Sequence, residues 1–473
     1  MISKTDYLTY LDSPLHLWAV KNGKIEKNIL DTYTQHLLEQ GYDVEKLAIQ
    51  YTKKYLLKEY GVTEENLLVQ PTHSYEYYQA RTDILILNPK TNKWDMYEVK
   101  SSTSVKPIHR HDVTFQYLVF KEKYDIGDVY ILHLNKEYVK DGEIYLPELF
   151  TKEYLNEEIK ELKDEVIQKR YDAYLVSKMK SNDNIPSCIK PKDCPCISLC
   201  HPNLPDYSIY DINKISQNEK SVRELESMNI FNIMDVPKSF KLTPKQRFQV
   251  NVAQSEKEYI NTEAIKERFS QLKYPLYFLD YETFNSAIPE FNGYSPYTHI
   301  VFQYSLHIKR SRDGDLEHYE YLHTEKTDPI PTLLSSLQDL LGTDGTIVIW
   351  NKTFESTRNK EMGKIYPEFR EFTESMNERM FDLMKIFQDQ LYDDPRFKGS
   401  YSIKNVLPVL VKDLSYKDMG ISEGSTAMTS WYDMVFNEGK DIRDDLLTYC
   451  KLDTLAMVEI YKEIKKKVQD INL

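Results

Sequence analysis

The chain alternates short apolar bursts with longer charged segments, and the spacing of the apolar positions sets its elements. Residues 28–40 and 43–59 carry apolar side chains at helical spacing, predicting two amphipathic helices parted at Gly41. Residues 77–88 read as a strand, 89–93 as a turn and 94–102 as the hairpin partner. A helix over 110–124 and a buried strand over 128–135 complete an α, β, β, α, β order. After residue 270 come an aromatic-rich strand over 274–284, then strands 300–309 and 316–323 joined by the Asp313-Gly314 turn signal. A helix over 329–341, a strand over 346–350 and a helix over 354–363 follow. Between the two regions, Pro202 to Pro205 reads as a linker, and 221–236 as a helix, a turn at Asn229 and the start of a second helix. The expectation is a multidomain α/β chain in three parts: 1–180, 181–270 and 271–473.

Composition narrows the function classes. A length of 473 residues suits roughly three domains. With 41% hydrophobic residues, 37 Tyr and only 14 Gly, the chain can pack cores and is unlike a disordered one. The net charge of −13 excludes a binder that relies on overall positive charge. A nucleic-acid partner would have to be met by local basic grooves or metal-bridged phosphates. Residues 1–12 lack an apolar leader, and no run is long and apolar enough to span a membrane, so the expected location is cytoplasmic.

Asp280 and Glu282 stand two apart near the end of strand 274–284, and so on one face of it. Two adjacent carboxylates at an apolar rim repel, and a hard divalent cation with oxygen ligands relieves the repulsion. Glu355 opens a helix just after the strand 346–350, and Tyr449 and Asp453 lie one helical turn apart near the chain's end. This ordered Asp, Glu, Glu, Tyr-x-x-x-Asp set resembles the tyrosine-containing DEDD 3′→5′ exonucleases of the ribonuclease-H-like fold, which usually have Asp where Glu355 stands. The resemblance implies two-metal phosphodiester hydrolysis with Mg2+ or Mn2+. Asp280 would bridge both ions, Glu282, Glu355 and Asp453 would complete the ligands, and Tyr449 would orient or deprotonate the attacking water.

The N-terminal region has a second acidic set. Asp83 lies in the first hairpin strand, Glu98 and Lys100 share a face of the second, and Gln116 sits on the following helix. Two acids can hold Mg2+, and a lysine can orient water or stabilise developing charge. The set resembles the PD-(D/E)XK nucleases, particularly their RecB-like and CRISPR-associated members, with Glu45 as the candidate upstream acid. An uncharacterised bacterial family that fuses such a domain to an exonuclease-like one resembles most of the chain.

Cys188, Cys194, Cys196 and Cys200 fall in one proline-rich stretch beside His201, and clustered thiols in a cytosolic chain suggest a metal site. The RecB-like resemblance implies a [4Fe–4S] cluster, although Ser13 stands where those relatives have an N-terminal Cys. Zn2+ is the alternative. Lys238, Lys241, Lys245 and Arg247, interleaved with aromatics, are the most basic short patch and a candidate phosphate-backbone contact. The function expected is a metal-dependent nuclease, acting 3′→5′ on single-stranded DNA or on RNA. The alternative is a nucleic-acid-binding scaffold that keeps both folds without hydrolysis.

Overall fold

A computed structural model of the chain describes residues 1–25, 31–416, 419–421 and 423–470. It is a mixed α/β structure of two compact units, Met1–Asn203 with Asn285–Thr298, and Leu204–Phe284 with His299–Leu473. Residues 181–203 of the expected connector therefore belong to the first unit, and 204–270 to the second.

The first unit is built on a five-stranded sheet in the order Leu67–Val69, Ile84–Asn88, Lys93–Lys100, Ile126–Leu134, Phe150–Tyr154. Lys93–Lys100 and Ile126–Leu134 run parallel, so the chain must cross over between them. The helix Pro107–Phe120 makes that crossing, with proline at its first position, where the missing N–H costs nothing. Phe115, Leu118 and Phe120 of that helix are fully buried. Each is worth about 1.5–3 kcal/mol of transfer free energy on the scale for large apolar side chains. The expected strand 77–88 is two strands, Tyr78–Arg81 and Ile84–Asn88, in different sheets. The expected break at Gly41 does not occur: one helix runs over Thr32–Tyr51, and a Cβ at Gly41 would meet open space. A half-buried mid-helix glycine costs only about 1 kcal/mol, less than the buried face of a twenty-residue helix returns. Residues 28–30 of the predicted helix lie outside the described residues.

In the second unit the five-stranded sheet has the order Leu316–Leu322, Ile300–Lys309, Leu276–Phe284, Thr346–Ile349, Met380–Asp382. Leu276–Phe284 is central, antiparallel to Ile300–Lys309 and parallel to Thr346–Ile349. The long helix Arg443–Asp470 lies against both central strands. Here the expected elements match the observed ones to within two residues. Between 204 and 270, Asn229 takes φ 58° after the helix Glu219–Ser227, but a single 3-10 turn, Ile233–Asp235, stands where a second helix was expected. Among the described residues no helix is long and apolar enough to cross a membrane.

Candidate catalytic and metal-binding sites

The acidic site of the second unit follows from strand pairing. Asp280 and Glu282 leave the same face of the central strand, and their cross-strand partners are Ser305 and Gln303. Those two polar side chains, with His307, interrupt a largely apolar strand, and Gln303 and Ser305 are fully buried. Gln303 donates to the Leu446 carbonyl (2.8 Å), and Ser305 bonds the Thr454 hydroxyl (2.7 Å), which also meets His307 Nδ1 at 2.8 Å. The row 303, 305, 307 thus fixes the register of the long helix and sets Tyr449 and Asp453 opposite the strand acids. A one-residue irregularity in the pairing falls between Glu282 and Thr283, as bulges beside functional sites do.

Glu355 arrives from the first turn of the helix Lys352–Ile365, immediately past the neighbouring strand. The four acids and Tyr449 line one cleft of about 270 Å³. Glu355 is 3% exposed, and its Oε2 has no hydrogen-bond partner. Burial pushes Glu282 and Glu355 up to about 8 and Asp453 to about 6. Asp280 is raised well above the carboxylate range by burial and by the charges of Asp453, Glu282 and Glu355. Acids raised by burial, and at Asp280 and Glu282 also by neighbouring acids, with one carboxylate oxygen unsatisfied, are a donor set that could hold a divalent cation. Oxygens of Asp280 and Glu282 and the Cys450 sulfur lie within 4.8 Å of one another, so a thiol sits at the base of the acids.

Two residues join the site that the motif does not contain. Tyr416 donates to Asp453 Oδ1 at 2.5 Å, and Lys404 lines the cleft. No periodicity marks Tyr416, which lies 37 residues before its partner. Lys404 sits in the first turn of the helix Ile403–Leu410 and forms no part of the Asp, Glu, Glu, Tyr-x-x-x-Asp pattern.

In the first unit the expected residues also converge. Asp83 Oδ2 accepts from the Val99 amide at 2.7 Å, and Gln116 donates to Asp112 Oδ1 at 2.8 Å. Lys100 bridges Glu98 (2.7 Å) and Asp112 (2.6 Å). A second ammonium, Lys4 from the first helix, reaches the same Glu98 oxygen at 2.8 Å. Burial alone would raise Glu98, but Lys100 and Lys4 override it and hold the carboxyl at about 2. Asp83 is raised instead, by burial and by Glu98, with Glu45 adding to the effect. Glu98 Oε2 remains buried and unpartnered.

The cysteines form a third cluster. His16, Cys194, Cys196 and Cys200 present ligand atoms within 4.8 Å of one another and can hold a metal ion. His16, which the cysteine count did not single out, meets Cys194 Sγ through Nε2 at 3.1 Å, while Nδ1 meets Asp12 at 2.9 Å. A carboxylate on Nδ1 turns the Nε2 lone pair toward the sulfurs, the usual arrangement behind a ligating histidine. Cys188, an expected ligand, is not in that group; it hydrogen-bonds Cys200 and Cys194 and, with His16, holds Cys200 well below the usual thiol range. Ser13 is buried with an unpartnered hydroxyl and is not one of the four grouped ligands.

The basic patch is divided. Lys238, Lys241 and Lys245 are exposed, with Lys245 donating to the Gln388 carbonyl. The Arg247 guanidinium is turned inward onto the Pro237 and Phe240 carbonyls and braces its own loop.

Residues 277–402 match the protein family described as Domain of unknown function (DUF2779). The chain is 27% identical over 300 residues to Uncharacterized protein UU173 of Ureaplasma parvum, an alignment covering 57% of this chain and 42% of that one. It is 25% identical over 256 residues to Uncharacterized protein MG366 of Mycoplasma genitalium, covering 49% and 38%. The matched region thus spans about two fifths of the length of these relatives.

Proposed function

We propose that this chain is a metal-dependent nuclease whose second unit removes nucleotides from the 3′ end of single-stranded nucleic acid, DNA by preference. The observation that carries the reading is the convergence of Asp280, Glu282, Glu355, Asp453 and Tyr449, from two helices and one strand, on one cleft. A central strand flanked by one antiparallel and one parallel neighbour supports a ribonuclease-H-like framework. Mg2+ or Mn2+ held by the four acids would supply a water of lowered pKa and neutralise charge on the scissile phosphate. The protein's own part is positional. Asp280 and Glu282 face the substrate from a rigid strand, Asp453 is held by Tyr416, and the Tyr449 phenol, kept protonated by burial and the acids, orients the attacking water by hydrogen bonding.

The first unit supports a PD-(D/E)XK reading in its sheet order and in the Asp83, Glu98, Lys100 and Gln116 set. The Lys4 contact favours a substrate-holding role there over hydrolysis, because Glu98 already has two ammonium partners. The Cys–His cluster is proposed as a structural metal centre joining the start of that unit to its end. Three thiols with His16 suit Zn2+, and four thiols suit a [4Fe–4S] cluster. An anaerobic absorption spectrum separates the two.

The test uses 5′-labelled linear and internally labelled circular single strands of DNA and RNA, with Mg2+, Mn2+ or EDTA. A ladder of 3′-shortened products from linear DNA, absent with EDTA and reduced about 1,000-fold or more in Asp280→Asn, is the expected result. Retention of intact strands without cleavage in either metal refutes hydrolysis and leaves the binding protein.

A further inference from the structure

Lys404 is the one cationic side chain among the described residues that line the acidic cleft. It is the second residue of the helix Ile403–Leu410, whose N-cap Ser402 makes no side-chain capping bond. A positive charge in a first helical turn opposes the helix dipole, so local helix stability does not account for it. Among the described residues its ammonium makes no hydrogen bond or ion pair. It stands over the ring of Tyr449 at 5.3 Å and that of Tyr416 at 5.7 Å, near enough to Glu282 and Asp453 for its charge to offset part of their upward shift.

The charge of the cleft gives this cation a use. Four carboxylates balance two divalent ions, which leaves the charge of an incoming phosphodiester unmatched by the protein. A cation that only packed on aromatic rings would be better placed away from the metal site, because its charge repels the ions the acids are there to bind. A cation that meets a phosphate oxygen is repaid in that position. Lysine suits the task, since it binds phosphate as a compact point charge with rotatable donors.

We propose that Lys404 is a phosphate-binding residue of this site, donating to a non-bridging oxygen of the nucleotide's phosphate, with the Tyr449 and Tyr416 rings setting the reach of its ammonium. The proposal rests on the nucleic-acid reading of the cleft but not on hydrolysis taking place there.

The full-length protein is loaded with Mn2+ and titrated with thymidine 5′-monophosphate, followed by 31P relaxation, in the wild type, Lys404→Met and Lys404→Arg. Mn2+ affinity is measured separately by electron paramagnetic resonance, and cleavage of 5′-labelled single-stranded DNA under single-turnover conditions. Lys404→Met is expected to weaken nucleotide binding by about ten- to a hundredfold, with Mn2+ binding unchanged or tighter because a repelling charge is gone. Cleavage should slow by about 100-fold. Lys404→Arg should recover most of the nucleotide affinity. Equal nucleotide binding in Lys404→Met, or no nucleotide binding by the Mn2+-loaded wild type, overturns the proposal. So does a joint loss of Mn2+ affinity, nucleotide affinity and thermal midpoint, which would mark a packing role. If the nucleotide result holds while the wild type cleaves nothing, the phosphate contact stands and the nuclease reading falls.

Discussion

Glu282→Gln is expected to stabilise the metal-free protein at alkaline pH, the reverse of what removing a buried polar interaction usually does. In the cleft Glu282 is 8% exposed, and its carboxyl is pushed from an ordinary 4.5 to about 8, first by burial and then by Asp453. The folded protein therefore holds a proton that the unfolded chain releases. Stability falls as pH rises from about 4.5 to 8, and the full penalty is present only above the folded value. Taken alone, that displacement is worth about 5 kcal/mol. Protons in the cleft are shared with Asp280 and Asp453, so a net gain of about 2–3 kcal/mol from removing one charge is the reasonable expectation. For a unit of this size, each kcal/mol moves the melting midpoint by about 2–4 °C.

The assay is thermal unfolding of wild type and Glu282→Gln between pH 5 and 9, in EDTA and in Mg2+. In EDTA the variant should melt above the wild type at pH 8.5, and the gap should close toward pH 5, where the wild-type acid is itself protonated. Mg2+ should raise the wild-type midpoint, by an amount equivalent to about 2.7 kcal/mol at a hundredfold excess over its dissociation constant, and leave the variant nearly unmoved. A gap that stays constant across pH, or a variant that melts below the wild type at pH 8.5, would show that Glu282 is not held in a charge-frustrated cleft. The metal-site argument would fail with it.

Thr454→Val should cost about 1–3 kcal/mol, because it removes the Thr454 partner of the buried His307 Nδ1 and leaves Ser305 only His318; urea unfolding measures the loss, and weaker Mn2+ binding should accompany it as Asp453 loses its register. His16→Ala should lower the metal content of purified protein, read by elemental analysis, whereas Ser13→Ala should not; equal metal in both would remove His16 from the ligand set. Lys4→Met, made in an Asp280→Asn background to silence the second unit, should let Glu98 and Asp83 bind Mn2+ more tightly by about tenfold or more, since a competing ammonium is removed; titration calorimetry reading no change would mean that Lys4 does not occupy the cation's place.

Much of the second unit was legible because its signals are local. Strand 276–284 is nearly all apolar or aromatic, and its two acids stand out against that background at the spacing that puts them on one face. The Glu355 and Asp453 helices announce themselves by periodicity and by their place after a strand or at the chain's end. What stayed hidden depends on chain return. Lys4 meets Glu98 across 94 residues and His16 meets Cys194 across 178, and neither residue carries a local pattern that foretells its partner. Ser305 and Gln303 were hidden differently: in a strand of apolar character two polar residues look like interruptions, until the pairing register sets them beside Asp280 and Glu282. Gly41 was over-read, since a glycine ends a helix only where the backbone has reason to turn, and there it has none.

The contrast between the two acidic sites argues for where a metal is needed. In the first unit Glu98 and Asp112 face Lys100 and Lys4, so these two acids are matched by two ammonium groups at 2.6–3.7 Å. The carboxyl of Glu98 is correspondingly held down at about 2: the protein balances it internally. In the second unit the four acids face Lys404, which makes no ion pair with them, and Arg358, which acts on Glu355 but is paired with Glu361, and every one of the four is still pushed up. Buried charges are tolerated only when something compensates them, and uncompensated acids protonate instead. A strand, two helices and a row of buried hydrogen bonds hold these four carboxylates together against their own burial cost, and the proposed metal centre would relieve that cost. The same sum places the uncompensated acidic charge in the second unit and leaves Glu98 and Asp112 of the first already matched by their lysines.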